Sequence, residues 1–122
     1  MDVRIQDLMD DRRCYDMLRE LRWPEGRFCP HCDSRRIIRR GFDDNSPRQR
    51  YQCKDCNRRF DDLTGTVFAG HHQPLKVWML ALYFMGLNLS NSQIAKELEL
   101  NVSDVQKMTT ELRQGILLKK SP

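Results

Sequence analysis

Four cysteines stand where their sulfurs can meet. Cys29 and Cys32 are separated by two residues, Cys53 and Cys56 by two more, with twenty residues between the pairs. A tight turn with two residues between cysteines offers both thiolates to one ion, and two such turns complete a tetrahedron of soft ligands. The spacing predicts one structural Zn2+ held by Cys29, Cys32, Cys53 and Cys56. Four thiolates leave no position open for water, so the metal is not expected to do chemistry. A redox dithiol needs one pair in a strand–helix setting, and here there are two pairs. The fifth cysteine, Cys14, lies on an apolar helical stripe and reads as a small buried hydrophobe. His31 is expected to point outward from the first knuckle. His71 and His72 follow Gly70 in a linker and add nothing to a site that four sulfurs close.

A second group of residues could bind an anion. Arg35, Arg36, Arg39, Arg40, Arg48, Arg50, Arg58 and Arg59 crowd the cysteine segment, and arginine grips phosphate and guanine edges bidentately. From Arg27 to Phe60 there are ten basic and four acidic side chains, whereas residues 1–26 carry five against seven and residues 61–122 six of each. Four thiolates and one Zn2+ would bring this segment from +6 to about +4, which still suits phosphate. Tyr51 and Phe60 interleave with the arginines and read as the ribbon's small core rather than as stacking platforms.

Enzymatic chemistry has less to stand on. Asp43-Asp44 and Asp61-Asp62 are chain neighbours, which point to opposite faces in extended backbone, so they read as turn and surface residues. No Ser/His/Asp or Cys/His arrangement and no glycine-rich phosphate loop is apparent.

The elements that must position these groups follow from periodicity. Cys14, Met17, Leu18 and Leu21 recur at helical spacing, and Ile5, Leu8 and Met9 extend the stripe, predicting a helix over 2–21 that ends before Pro24. Three strand-like runs, 35–40, 48–53 and 58–63, surround the turn chemistry of Gly41 to Pro47. From Pro74, suited to a first helical position, a helix over 74–89 carries two apolar stripes: Leu75, Trp78, Met79, Leu82, Met85 and Leu89, and Val77, Leu80, Ala81, Phe84 and Leu87. A helix apolar on both faces is buried or meets a partner: a second copy in a homodimer, the N-terminal helix, or a catalytic domain missing from this chain. Ser90-Asn91-Ser92-Gln93 and Ser103-Asp104-Val105-Gln106 read as capping boxes around the turn Glu99 to Val102. On the last helix Val105, Met108, Thr109 and Leu112 should face inward. Asp104, Gln106, Lys107, Thr110, Arg113 and Gln114 should face out, where such a helix reads a major groove, with Gln106, Lys107 and Thr110 as suitable chemistry and Ser103 or the local N–H groups placed to hold a phosphate. The outline is a small α+β chain: an N-terminal helix (1–26), a four-cysteine zinc ribbon with a three-stranded antiparallel sheet (27–68), and a helix-turn-helix of about three helices (74–120).

Leu21-Arg22-Trp23-Pro24-Glu25-Gly26 leading into Cys29-Pro30-His31-Cys32 resembles the zinc-ribbon domain at the N-terminus of certain bacterial insertion-sequence transposases of the DDE type. So do Arg50-Tyr51-Gln52-Cys53-Lys54-Asp55-Cys56, Arg59-Phe60 and Leu63-Thr64-Gly65-Thr66-Val67-Phe68. Pro74-Leu75, Trp78 and Ile94-Ala95-Lys96-Glu97-Leu98 resemble the helix-turn-helix that follows. The resemblance implies transposon-end DNA as partner and the cysteines as zinc ligands. Asp33 and Asn57 stand where such knuckles commonly carry glycine, and both types tolerate left-handed backbone. Family members continue into a ribonuclease-H-like catalytic domain with a carboxylate metal site. This chain stops at Lys119-Lys120-Ser121-Pro122, so catalysis is not carried over: it is read as a fragment, a remnant, or a small protein that kept DNA binding.

The expected function is therefore zinc-dependent, sequence-specific binding of double-stranded DNA, in the end-recognition region of a transposase. A stand-alone transcriptional regulator and a zinc-ribbon protein-interaction adaptor are the alternatives. No apolar run reaches the length of a membrane span, and no signal peptide opens the chain. The expected place is a bacterial cytoplasm, at the nucleoid when bound, with no small-molecule substrate.

Overall fold

A computed structural model describes residues 9–70 and 73–117. The order is α1 (Asp11–Arg22), β1 (Ile37–Phe42), β2 (Gln49–Cys53), β3 (Arg59–Asp61), α2 (Leu75–Gly86), α3 (Asn91–Leu98) and α4 (Val102–Arg113). The three strands form one antiparallel sheet in the order β1-β2-β3.

α1 begins where the Asp10 side chain accepts the Arg12 N–H at 3.0 Å, and it ends at Trp23, ahead of Pro24. Its start is later than the stripe suggests, and Ile5 and Leu8 lie outside the described residues. The buried face also differs. Cys14, Tyr15, Leu18 and Arg22 are buried, whereas Met17 and Leu21 are exposed. The helix is turned toward Tyr15 and Arg22 because it must serve two cores rather than one.

The strands lie one or two residues from their expected bounds. β1 runs through Gly41 and Phe42, which were expected in the turn. A register shift between Arg39 and Phe42, with Gly41 at φ +82, bends the strand there.

The two cores are distinct. Under the sheet, Trp23, Tyr51 and Phe60 pack with buried Cys29 and Cys53. Their ring centroids lie 5.5 Å (Trp23–Tyr51) and 5.2 Å (Tyr51–Phe60) apart. The larger core joins Cys14, Tyr15 and Leu18 of α1 to Leu63, Val67 and Phe68 and to α2, α3 and α4. Tyr51 and Phe60 are thus core, as expected.

α2 occupies the centre of the helical core and packs on α1, α3 and α4. Pro74 is its N-cap rather than its first residue. Val77, Leu80, Ala81 and Phe84, the second stripe expected to await a partner, are buried within the chain, and only Leu87 of that set is exposed. The argument for a homodimer or a missing domain on this helix therefore falls away: three neighbouring helices use both faces.

α3 opens with the expected capping box, Ser90 accepting from Gln93 N and Gln93 Oε1 from Ser90 N. It closes on Glu99 in the left-handed region, where Leu100 N donates to Ala95 O at 2.9 Å. α4 starts one residue before the expected box. Asn101, not Ser103, is its cap, accepting from Asp104 N at 2.8 Å. Ser103 donates its hydroxyl to the same Asn101 oxygen. Asn supplies the same acceptor as Ser, and only its position in the turn distinguishes the two. Val105, Met108, Thr109 and Leu112 face inward as expected.

After α4 the chain returns to the end of the ribbon. Val67 N donates to Ile116 O at 2.9 Å, and Thr66 pairs with Leu117 in an antiparallel bridge.

Candidate functional site

The metal centre is built by two knuckles folded alike. In the first, Asp33 N donates to Cys29 O and Cys29 N to Ser34 O, at 2.9 and 2.8 Å. In the second, Cys53 N donates to Arg58 O at 3.0 Å. Each turn closes through a left-handed residue, Asp33 at φ 64 and Asn57 at φ 62, as the two substitutions for glycine predict. Amides then point at sulfur: His31 N lies 3.3 Å from Cys29 Sγ and Cys56 N 3.5 Å from Cys53 Sγ.

The four sulfurs lie within 4.8 Å of one another, with Cys29–Cys56 at 3.6 Å and Cys32–Cys53 at 3.5 Å. A tetrahedral zinc with bonds of about 2.3 Å separates its sulfurs by about 3.8 Å. The cluster therefore fits zinc closely, and these cysteines hold one structural Zn2+. The amide N–H groups of Cys56 and then Asp55 pull the Cys53 thiol down, whereas its neighbour Cys32, 3.5 Å away, is pushed up. Loss of water on burial pushes Cys29 up as well. Among the described residues, no other group of three or more His, Cys, Asp or Glu side chains lies at metal-binding distance. His31 is exposed, with Nδ1 3.3 Å from an Arg58 nitrogen. His71 and His72 lie outside the described residues. Cys14 is buried in the helical core, and that burial raises its thiol pKa.

The arginines separate into groups that their spacing did not reveal. Arg36 reaches Asp55 at 2.7 Å, and Asp55 also accepts from Ser34. Arg35 donates to Glu25 O at 2.9 Å. Arg48 lies 3.6 Å from Asp43 and 3.9 Å from Asp61. Arg50 shares Asp43 at 3.2 Å. Among the described residues Arg40 donates to the neutral Gln52 side chain, at 2.8 Å, and makes no ion pair. Arg39 and Arg59 make no ion pair among the described residues. On α4, Ser103, Gln106, Lys107, Thr110 and Arg113 are all exposed. The Thr110 hydroxyl donates back to Gln106 O at 2.7 Å, so its outward offering is mainly a methyl group and lone pairs.

The sequence reading missed one polar centre. Asp62, expected at the surface, has no exposed area. It accepts from Arg19 at 2.8–3.1 Å, from the Tyr51 hydroxyl at 2.6 Å and from Gln49 N at 2.7 Å. Arg22, also buried, donates to Asp62 O at 2.7 Å and to Thr64 O, and lies 4.5 Å above the Trp23 ring. α1 is thereby pinned to the sheet. Alternation did place Asp61 and Asp62 on opposite faces, which was the available signal, but nothing local named Arg19 as the partner.

Comparison with known proteins agrees with this geometry. Residues 9–59 match the transposase zinc-ribbon domain of the IS1595 type. The chain is 39% identical over 104 residues to an uncharacterized protein in transposable element ISH50 of Halobacterium salinarum. That alignment covers 83% of this chain and 34% of the relative, so the chain spans about a third of the relative's length. No solved structure matches. The knuckles, the four-sulfur cluster and the relative from a mobile element converge: residues 9–59 are similar to the transposase zinc-ribbon domain, and the chain is similar to a protein of a transposable element.

Proposed function

We propose that the chain binds double-stranded DNA in a sequence-specific way, as the part of a transposase that recognises the ends of its element. The observation that carries this is the outer face of α4. Gln106, Lys107, Thr110 and Arg113 form an exposed polar row, while Val105, Met108, Thr109 and Leu112 anchor the opposite face. α3 precedes it across the three-residue turn Glu99–Asn101, and Thr109 Oγ1 ties the pair to Asn91 at 3.2 Å. A helix held in that way can lie in a major groove and present side chains to base edges. Gln106 and Lys107 have the donors and acceptors for such edges. Ribbon arginines that no carboxylate holds supply phosphate contacts, which set affinity without reading sequence.

Ser103 fits less well than its position suggests, because its hydroxyl is engaged by the Asn101 cap and Asp104 adds negative charge in the same turn. The zinc holds the knuckles, and strand-transfer chemistry has no assigned residues in this reading. The test is selection of a preferred duplex from a random pool, followed by Gln106→Ala. The substitution should weaken the selected duplex by about 1–3 kcal/mol and leave a scrambled duplex nearly unchanged. Equal loss on both duplexes would remove α4 from base reading.

A further inference from the structure

The sheet has one face turned away from Trp23, Tyr51 and Phe60. Strand register places Ile38, Gln52 and Arg59 side by side on it, with Arg50 opposite Asp61. Arg40, Arg50 and Arg59 converge there around an open cavity of about 450 Å³, completed by Phe60, Asp61 and Thr64. Arg50 is paired with Asp43 at 3.2 Å, which leaves Arg40 and Arg59 facing one carboxylate in the lining, and that carboxylate is occupied: Asp61 Oδ1 accepts from Leu63 N, Thr64 N and the Thr64 hydroxyl at 2.8–3.2 Å. Gln52 holds Arg40 in place through a neutral oxygen, which leaves its charge uncancelled, and is itself held by Asn57 at 2.7 Å. Arg59 has no carboxylate within ion-pair distance among the described residues. Arg36, by contrast, is paired at 2.7 Å on the knuckle flank.

We propose that this cavity on the outer sheet face seats a backbone phosphate of duplex DNA, through Arg40 and Arg59 with Arg50 beside them. The knuckle arginines Arg35 and Arg36 brace the ribbon instead. The inference rests on the duplex-binding reading above and refines it, since eight arginines that look equivalent in sequence divide by what already holds them. Guanidinium groups without a carboxylate retain donors in the planar fork that matches phosphate oxygens. The face favours phosphate over unstacked bases, because its aromatics are buried beneath it: Tyr51 is fully enclosed and Phe60 is 5% exposed. Single strands are held largely by stacking on exposed rings, and the exposed ring of the sheet, Phe42, pairs with Gln49 on the Tyr51 side instead.

The experiment uses the full zinc-loaded chain and a labelled random-sequence duplex titrated across a salt series. Each phosphate neutralised contributes about 0.9 to the slope of log K against log salt. The double variant Arg40→Gln, Arg59→Gln should lower that slope by about one, and Arg36→Gln should leave it unchanged. Zinc stoichiometry and melting temperature equal to wild type show that each variant is folded. If wild type binds and Arg36→Gln lowers the slope as much as the double variant does, the sheet face is not the phosphate seat and the DNA reading survives. An unchanged slope in the double variant has the same meaning. If wild type binds no duplex, both readings fall. Tighter binding of a single strand of equal length, lost in the double variant, would overturn the choice of duplex.

Discussion

Asp62 is the residue whose loss should be felt most outside the cysteines. Its carboxylate has no access to water and answers Arg19, Tyr51 and a backbone amide together. Removing one partner of a buried ion pair costs about 3–5 kcal/mol. Arg19 is partly exposed and can recover water, so Asp62→Ala should fall near the lower end of that range, measured by urea unfolding. Tyr51 gives the same centre a pH signature. Burial first, and then the hydrogen bond to and charge of Asp62, push its hydroxyl up to about 12. A folded value above the ordinary 10 means that the protonated phenol contributes stability in full below pH 10 and loses it as pH rises through about 12. Arg22, pushed down to about 10 chiefly by burial, acts in the opposite sense: it sheds its proton more readily when folded and offsets part of that loss. Tyr51→Phe should therefore be less stable than wild type at pH 8, yet fall less steeply between pH 10 and 11. Equal alkaline slopes in denaturant titrations would count against this account.

At the scale of elements, the corrected cap of α4 is the sharpest test. Asn101→Ala should cost about 0.5–2 kcal/mol, the usual range for a lost N-cap acceptor, and Ser103→Ala should cost less. Thermal unfolding of both variants decides the order, and the reverse order would restore Ser103 as the cap. The comparison also shows which information is local in the chain. Knuckles, strands, capping positions and inward residues of α4 each leave a mark within a few residues, as spacing, alternation or a side chain that can reach its own backbone. Arg19 and Asp62 are 43 residues apart and leave no such mark. Nor can periodicity count how many neighbours a helix has, which is why α2 looked like an interface when it is the hub of the helical core. The arginines were legible as a set, but their sorting depends on which carboxylate each one reaches in space.

For the whole molecule, α1 is the shared part. Cys14, Tyr15 and Leu18 belong to the helical core, while Arg19, Arg22 and Trp23 hold the ribbon. The family match begins at residue 9, ahead of α1, in agreement with that sharing. Chelation of zinc, or Cys53→Ser, should unfold the ribbon, because metal binding supplies the folding free energy of such modules. The helical core contains none of the four ligands and should keep most of its far-ultraviolet signal. Trp23 lies in the ribbon and Trp78 in the helical core, so Trp23→Phe and Trp78→Phe let fluorescence follow each separately. Loss of both signals together on chelation would instead show one cooperative unit. The return of residues 116–117 to residues 66–67 has a mechanical meaning as well. The stretch between them is a lobe closed at its base, entered and left through the same doorway. Tension applied between the ribbon and residue 117 is carried across the Thr66–Leu117 bridge and the 2.9 Å Val67–Ile116 bond, and α2, α3 and α4 stay outside the load path until that clasp opens.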